Sequence, residues 1–275
     1  MDGAQRAFRC RKYTLPLGSK TYIMGILNIT IDSFSDGGNY CSLERAVERA
    51  LQMAEEGADI IDIGGESTRP GFIPVDAAEE IRRVVPAVER LASAVKVPLS
   101  IDTTKAAVAE RALEAGAHII NDIWGFQKEP ALAALCARYE AGAVLMHNSD
   151  TGAYGDIMAD IAAFLRRSAA IAEGAGLNKE RIILDPGIGF GKDLDQNLTV
   201  MRRLGELRVP PFPLLMGTSR KSMIGKVLGL PVTERLEGTA ATVAVSIARG
   251  ADFVRVHDVR AMKRVAAMTD AMIRA

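Results

Sequence analysis

The sequence has few of the residues that would indicate a disulfide-rich, zinc-binding or nucleic-acid-binding protein. Its 275 residues include three cysteines, one tryptophan and 5% aromatic residues, and 34 Lys and Arg are matched by 34 Asp and Glu. Cys10, Cys41 and Cys136 are odd in number and lie far apart, which argues against a disulfide framework or a zinc site. Without surplus charge, we expect no nucleic-acid partner and no attraction to an acidic membrane.

Long apolar runs are missing as well. No segment reaches the length that spans a bilayer, and the region around Arg6, Arg9 and Arg11 contains no apolar core of a signal peptide. We therefore expect a soluble cytoplasmic protein with no membrane partner. The hydrophobic residues that are present, 48% of the chain, are enough for a sizeable core.

Short apolar runs alternate with longer amphipathic stretches, such as 77–94 and 106–115, along the whole chain. This alternation is typical of parallel βαβ units. Strands are predicted at 22–27, 60–63, 99–102, 119–122, 143–146, 182–185, 214–216 and 253–256. Eight strands without an interrupting linker indicate an α/β fold, a (β/α)₈ TIM barrel. We predict a single TIM-barrel domain over residues 1–275, with the segment before Tyr22 capping the barrel floor.

A weak repeat supports this organisation. Gly57, Gly116 and Gly250 each precede an apolar run that brings a polar residue after it. Glycine can end a helix in the left-handed conformation, so each repeat predicts a helix end followed by a buried strand. Every such unit delivers one polar group to the same rim of the barrel.

The rim at the carboxyl ends of the strands is where TIM barrels carry their active sites. The polar residues at the carboxyl ends of the predicted strands are Asn28, Asp62, Asp102, Asn121, His147, Asp185, Arg255 and His257. Asp102 and Asp185 can accept hydrogen bonds from the amino and ring N–H groups of a polar heterocycle, and Asn121 offers both a donor and an acceptor. The alternative for each residue is capping of the following helix.

Two further segments bear on ligand binding. The Ser-Arg-Lys-Ser segment at 219–222 offers backbone N–H groups and two cations to an anion, with Arg69, Arg255 and His257 nearby on the rim; a solvated basic turn is the alternative. The glycine-rich segment 185–192 has neither P-loop nor GxGxxG spacing, so it predicts no nucleotide site. Its glycines would let a flat ligand approach the backbone, and Phe190 would either stack on that ligand or fill the core.

These motifs, taken together and in order, resemble dihydropteroate synthases. The residues that carry the resemblance are NITIDSFSDGG at 28–38, DIGGESTRPG at 62–71, SIDT at 100–103, NDI at 121–123, DPGIGFGK at 185–192 and SRKS at 219–222. The resemblance runs from Met24 to His257, nearly the whole chain. Ile31 and Ile188 depart from it, because the family usually has proline at the first position and an aromatic residue at the second.

The resemblance implies a transferase of folate biosynthesis that condenses 6-hydroxymethyl-7,8-dihydropterin diphosphate with 4-aminobenzoate and releases diphosphate. The residues implied to hold or line the pterin are Asp102, Asn121, Met146, Asp185, Phe190 and Lys221. Those implied to grip the anion are Arg69, Arg255 and His257, and those implied to flank the aminobenzoate are Phe34, Thr68, Pro70 and Ser222. Asn28 is implied to hold Mg²⁺ with diphosphate oxygens, and the chain to form a homodimer. Two long segments, 30–40 (the first loop) and 64–74 (the second loop), can close over the reacting pair and exclude water, with flexible surface connections as the alternative. Asp36 is implied to stabilise the cationic pterin or the closed first loop.

Two other functions stay open at this point. A methyltetrahydrofolate-dependent corrinoid methyltransferase uses a similar pterin-binding barrel, although its chemistry leaves no diphosphate for the segment at 219–222 to hold. A non-catalytic pterin-binding protein would need no anion and metal rim such as Asn28, Arg69, Lys221 and Arg255 imply.

Overall fold

The computed structural model describes residues 6–29, 38–66 and 75–274, except the side chains of 38–42. The strands within these ranges are β1 (Ala7–Cys10), β2 (Tyr13–Pro16), β3 (Tyr22–Asn28), β4 (Ile60–Gly64), β5 (Leu99–Asp102), β6 (Ile119–Asp122), β7 (Gly142–Met146), β8 (Ile182–Asp185), β9 (Leu215–Met216) and β10 (Phe253–Val256). All eight strands predicted for the barrel are present, and four of them have the predicted bounds.

The eight strands from β3 to β10 form one parallel sheet in the order β8-β7-β6-β5-β4-β3-β10-β9. A parallel bridge between Leu184 and Leu214 joins the two edges of the sheet. The amide of Leu184 also donates to the carbonyl oxygen of Pro213 at 3.0 Å. The sheet therefore closes on itself, which confirms the predicted TIM barrel.

Helices follow the strands and cover the outside of the barrel. They are α1 (Gly38–Glu55), α2 (Ala77–Ala94), α3 (Ala106–Ala115), α4 (Ala131–Arg138), α5 (Ile157–Gly174), α6 (Leu194–Arg203), α7 (Ser222–Leu228), α8 (Leu236–Ala248) and α9 (Val259–Ile273). Helix α2 begins where the Asp76 side chain accepts from the amide of Glu79 at 2.8 Å, a capping contact. Helix α3 ends at Gly116, whose φ of 115° confirms the predicted left-handed end. Among the described residues, no helix combines the length and apolarity that crossing a bilayer requires.

The floor of the barrel is filled by apolar side chains and closed by the hairpin of β1 and β2. The buried residues of this cluster are Phe8, Cys10, Leu17, Tyr22, Met24, Ile60, Ile119, Val144, Ile183, Leu215 and Phe253. The Phe8 ring packs edge-on against Phe253 with centroids 5.7 Å apart. A Cβ atom at Gly142 would lie 2.5 Å from Phe8 Cζ, so this glycine makes room for the hairpin. The prediction that the N-terminal segment caps the floor is confirmed.

Candidate active site

The strands that fill the floor also supply the mouth of the barrel. Side chains two positions apart on a strand point to the same side of the sheet, here the barrel interior. The floor residues Ile60, Ile119, Ile183 and Phe253 are therefore followed on the same inward face by Asp62, Asn121, Asp185 and Arg255. A change from apolar to polar residues along this face creates a charged layer directly above the apolar one.

Three of these inward residues, Asn121, Asp185 and Arg255, line a cleft at the mouth. Its lining residues are Asp102, Asn121, Ile123, Met146, Asp185, Ile188, Phe190, Gly217, Lys221 and Arg255. All the described residues that the sequence predicted for the pterin site lie in this one cleft. Asp185 and Arg255, which come from strands far apart along the chain, emerge at the same end of the barrel.

Arg255 links the two sides of the cleft. Its Nε donates to Asp62 Oδ2 at 2.6 Å, and its Nη2 donates to Asp102 Oδ2 at 2.7 Å. Burial raises the pKa of Asp102 to about 7, while the Arg255 guanidinium acts in the opposite direction. Arg255 was predicted to grip an anion, and that role stays a prediction; in the structure its guanidinium pairs with two carboxylates.

Asp185 and Lys221 face the cleft from neighbouring strand ends. Asp185 Oδ1 accepts from the amide of Gly187 at 2.7 Å, and burial raises the pKa of the Asp185 carboxyl. The Lys221 ammonium lies 4.0 Å from the centre of the Phe190 ring. Burial, and then the charge of Arg255, lowers the pKa of Lys221 to about 8. The cleft thus combines carboxylate acceptors, a cation and an aromatic face, which suits a flat heterocycle with N–H donors.

Lys192 holds the glycine-rich loop below the cleft, a role that the sequence did not predict. Its Nζ donates to the carbonyl oxygens of Gly187 at 2.8 Å and Phe190 at 3.0 Å, and lies 2.9 Å from His147 Nδ1. Burial lowers the pKa of Lys192 to about 7 and that of His147 to about 3. Gly187 has a φ of 70°, and a Cβ there would lie 1.9 Å from the His147 oxygen. The hydrogen bonds of Lys192 therefore fix the conformation of the loop that presents Phe190.

The sequence predicted that Arg220 and Lys221 face one anion together. In the structure their side chains have different partners. Arg220 makes a two-pronged ion pair with Asp258, with Nε and Nη2 at 3.0 and 2.6 Å from its carboxylate oxygens. Lys221 faces the ring cleft instead. The partner of Arg220 lies 38 residues away along the chain, so local sequence did not reveal the pair.

His257 and Ser219 form a hydrogen-bonded unit beside the cleft. The Ser219 hydroxyl oxygen accepts from the His257 backbone amide at 3.1 Å and lies 3.0 Å from His257 Nδ1. A hydroxyl that already accepts from the amide can donate its own hydrogen to Nδ1, which favours the tautomer with its proton on Nε2. Ser222, the first residue of α7, is exposed close by in the chain.

Several predicted site residues lie outside the described residues: Phe34, Asp36, Thr68, Arg69 and Pro70. Their roles stay predictions. The described stretch that leads into the second loop is anchored at Glu66, which accepts from Lys105 Nζ at 2.5 Å. Lys105 also donates to the buried Glu80 at 2.6 Å, and Arg83 donates to the Gly65 oxygen at 2.9 Å. The base of this loop is therefore attached to helix α2.

Asp62 lies deeper than the sequence analysis placed it. Strand β4 continues to Gly64, so Asp62 is in the middle of the strand with no exposed surface. Its position two residues after the floor residue Ile60 was the available signal. Asp62 contacts Arg255 and Asn121 rather than standing on the rim.

A magnesium site built only from protein carboxylates is not part of the described structure. Within those ranges, no three His, Cys, Asp or Glu side chains are grouped so that they could hold a metal ion. Asn28 is exposed at the end of β3, where the preceding residues of the strand are buried. Mg²⁺ is commonly bound by one or two protein oxygens together with substrate phosphates, and Asn28 fits that kind of site.

The family described as pterin binding enzyme matches residues 24–257. Dihydropteroate synthase of Clostridium beijerinckii is 53% identical over 259 residues, covering 94% of this chain and 96% of that protein. The Bacillus subtilis protein of the same name is 51% identical over 254 residues, covering 92% and 89%.

Solved structures agree with these sequence relationships. The dihydropteroate synthase of Clostridium difficile, determined in the presence of pteroic acid, superposes with a TM-score of 0.92 at 51% identity, covering 94% of this chain and 99% of that one. The Xanthomonas albilineans enzyme with 4-aminobenzoic acid gives a TM-score of 0.92 at 40% identity, covering 98% of both chains. The chain therefore belongs to the dihydropteroate synthases of the pterin binding enzyme family.

Proposed function

We propose that this chain joins 6-hydroxymethyl-7,8-dihydropterin diphosphate to 4-aminobenzoate, giving 7,8-dihydropteroate and diphosphate for folate biosynthesis. The observation that carries the proposal is the cleft in which Asp102, Asn121, Asp185 and Lys221 meet. Its arrangement of acceptors and one cation complements a pterin, which has an amino group, ring N–H groups and a carbonyl oxygen.

Ring recognition rests on buried acceptors. Asp102, Asn121 and Asp185 are each at least nine-tenths buried, so a ligand without matching N–H donors would leave their remaining acceptor positions without hydrogen bonds. Such sites discriminate strongly against analogues that lack the required groups. Phe190 and Met146 supply apolar contacts to the faces of the ring.

The charges of the mouth suit a reaction in which the C–O bond to diphosphate breaks early. Positive charge then develops on the pterin methylene and spreads into the ring, where the carboxylates of Asp102 and Asp185 stabilise it. The aminobenzoate nitrogen forms the new C–N bond with the methylene carbon and loses a proton, and diphosphate leaves with the bonding electrons. The neutral arylamine is already nucleophilic, so no strong base is required.

The departing diphosphate needs positive charge. Arg69 and His257 would bind its oxygens, with Arg255 contributing its field from the cleft. Asn28 would hold Mg²⁺ together with diphosphate oxygens, and the bound ion would supply further positive charge to the leaving group. Asp36 would stabilise the cationic pterin or the closed first loop.

The second substrate would bind between the loops and α7. Phe34, Thr68, Pro70 and Ser222 would flank the aminobenzoate, and closure of the two loops would keep water from intercepting the cation. The attachment of the second loop to α2 through Glu66 supports a defined position for its base.

We also propose a single-domain homodimer in the cytoplasm. One sheet uses strands from Tyr22 to Val256, which leaves no separate folding unit between them. Among the described side chains, the exposed large apolar residues other than Leu51 lie between Val227 and Ile273, on or beside α7, α8 and α9. Sedimentation at several concentrations tests the dimer, and variants with charged residues at Met268 and Met272 should shift it to monomer if this surface forms the interface.

Release of diphosphate from the pterin diphosphate in the presence of 4-aminobenzoate, with and without Mg²⁺, tests the catalytic proposal. We expect turnover that requires both substrates and the metal, and loss of pterin binding by about tenfold to a hundredfold in Lys221→Ala. Methyl transfer from methyltetrahydrofolate to a corrinoid, without diphosphate release, would show the methyltransferase instead. Pterin binding without any turnover would show a non-catalytic protein.

A further inference from the structure

Asp62 is a buried carboxylate that touches two cleft residues without lining the cleft itself. Its side chain has no exposed surface. Its Oδ2 accepts from Arg255 Nε at 2.6 Å and from Asn121 Nδ2 at 3.1 Å. Asp62 therefore holds one group from each side of the mouth.

The contact with Asn121 determines which way its amide faces. A carboxylate oxygen only accepts hydrogen bonds, so the NH₂ group and not the carbonyl oxygen must face Asp62. The reversed amide would place two acceptor oxygens against each other where water is excluded, which is strongly unfavourable. The Asn121 carbonyl oxygen and the second Nδ2 hydrogen then keep one order along the cleft.

An amide with a set order can be complementary to only one kind of ring edge. In a pterin, N1 accepts and the neighbouring 2-amino group donates, which matches an N–H donor beside a carbonyl acceptor. In the 2-oxo analogue of the same ring, a lumazine, N1 carries hydrogen and the 2-oxo group accepts, so the order is reversed. A rigid Asn121 amide would therefore distinguish the two rings, whereas an amide that is free to flip would not.

We propose that Asp62 is a positioning residue that locks the Asn121 amide in one orientation and thereby makes the site selective for the aminopyrimidine edge of a pterin over its 2-oxo counterpart. This proposal rests on the proposed function, which places Asn121 against the pterin ring. It adds a residue that never touches the substrate but sets the donor and acceptor order of one that does.

The test compares dissociation constants for 6-hydroxymethylpterin and 6-hydroxymethyllumazine by calorimetry in the wild type and four variants. Asp62→Leu keeps a similar volume and removes the acceptor, so we expect the preference for the pterin over the lumazine to fall by about tenfold or more. Asp62→Asn keeps an oxygen that can accept from both Arg255 and Asn121, so we expect it to retain the preference within about threefold.

Ser100→Ala is the matched control. Ser100 is paired in register with Asp62 on the neighbouring strand, is equally buried, and its Oγ has no hydrogen-bond partner among the described residues. We expect this variant to keep the wild-type preference within about twofold. A loss as large as that of Asp62→Leu would show that packing, and not the carboxylate, sets the preference, and would overturn the proposal.

The failure of this inference is distinguishable from failure of the proposed site. If Asn121→Ala keeps the wild-type preference, Asn121 does not read the ring, and both the role assigned to Asn121 and the inference are wrong. If Asn121→Ala loses the preference while a folded Asp62→Leu keeps it, only the inference is overturned.

A neutron structure of the deuterated wild-type protein tests the lock without any variant, including the case in which Asp62→Leu does not fold. We expect nuclear density for the Nδ2 deuterium atoms of Asn121 beside Asp62 Oδ2. The Asn121 oxygen in that position would overturn the proposal.

Discussion

The floor and the mouth of the barrel are built on the same strands, yet they obey opposite rules. At the floor, Phe8, Ile183 and Phe253 are fully buried and belong to one apolar cluster. Two residues further along β8 and β10, Asp185 is buried and Arg255 is partly buried, and both lie near charged side chains. One strand can therefore supply stability at one end and chemistry at the other, because every second side chain of the strand points inward.

Burial at the mouth disfavours the ionised forms of its acidic and basic side chains. Burial raises the pKa of Asp102 to about 7 and lowers the pKa of Lys221 to about 8. Each shift means that folding disfavours the charged form, so the mouth reduces stability while it prepares a site for a polar ligand. The floor must supply the compensating stability through apolar burial.

The largest expected effect comes from removing the Phe8 ring, which packs in the floor of the barrel. Phe8→Ala deletes a fully buried ring that packs on Phe253, and should lower the free energy of unfolding by about 3–5 kcal/mol. Denaturant unfolding followed by circular dichroism measures it. If the two ends are independent, kcat/KM of the variant stays within about threefold of wild type below its melting temperature. A large loss of activity in the folded variant would show that the floor also positions the mouth.

Asp185→Asn tests the mouth on the same strand that carries Ile183. The amide can still accept from Gly187, but the variant loses the charge that we propose to face the pterin. We expect kcat/KM for the pterin diphosphate to fall at least about 100-fold, equivalent to about 2.7 kcal/mol, with the free energy of unfolding changed by less than about 1 kcal/mol. Undiminished pterin binding would contradict the assigned role of Asp185.

Lys192 should make the stability of the protein depend on pH. Because burial lowers its pKa to about 7, the folded state binds fewer protons at this site than the unfolded state between pH 7 and the ordinary lysine pKa near 10.5. The free-energy cost of burying the charged Lys192 is fully present below about pH 7, and it disappears as the pH rises from 7 to 10.5. The unfolding free energy of the wild type, relative to Lys192→Met, should therefore increase by up to about 1.4 kcal/mol per pH unit above pH 7.

Parallel unfolding curves of the two proteins at several values between pH 7 and pH 10 check this expectation. Arg203→Met, which removes an exposed cation from helix α6, is the control and should show no such trend. A constant difference between wild type and Lys192→Met across the range would show that Lys192 keeps its proton inside the fold.

The smallest expected effect comes from a substitution in the floor, two residues before the mouth residue Asp185. Ile183→Val removes one buried methyl group two residues before Asp185, and should cost about 1 kcal/mol of stability. The kinetic constants should stay within about twofold of wild type, in contrast to Asp185→Asn. A kinetic effect approaching that of Asp185→Asn would mean that the two layers are not separable.

Much of the fold was predictable because its signals are local. The bounds of β5, β6, β8 and β10 and of helices α2 and α3 agree with the sequence prediction, since apolar period and terminal residues act over short distances. The meeting of polar residues in one cleft was predictable too, because a barrel gathers the carboxyl ends of its strands at one rim. Asp102, Asn121, Asp185 and Lys221 therefore meet as expected.

The pairings within the site were not predictable. Arg220 with Asp258, Arg255 with Asp62 and Asp102, and Lys192 with the Gly187 oxygen depend on side-chain directions across different strands or around a folded loop. Many other charged residues could serve as partners for each cation when only the sequence is read.

The amino-acid sequence by itself determined which residues form strands, which side of each strand turns inward, and which chemical groups reach the mouth, because these depend on local period and strand order. Only the tertiary structure decided that Asp62 is fully buried behind the cleft and that its carboxylate joins Arg255 to Asn121. The physical reason is that depth and hydrogen-bond partners are set by the register between strands, and register depends on the closure of the whole barrel.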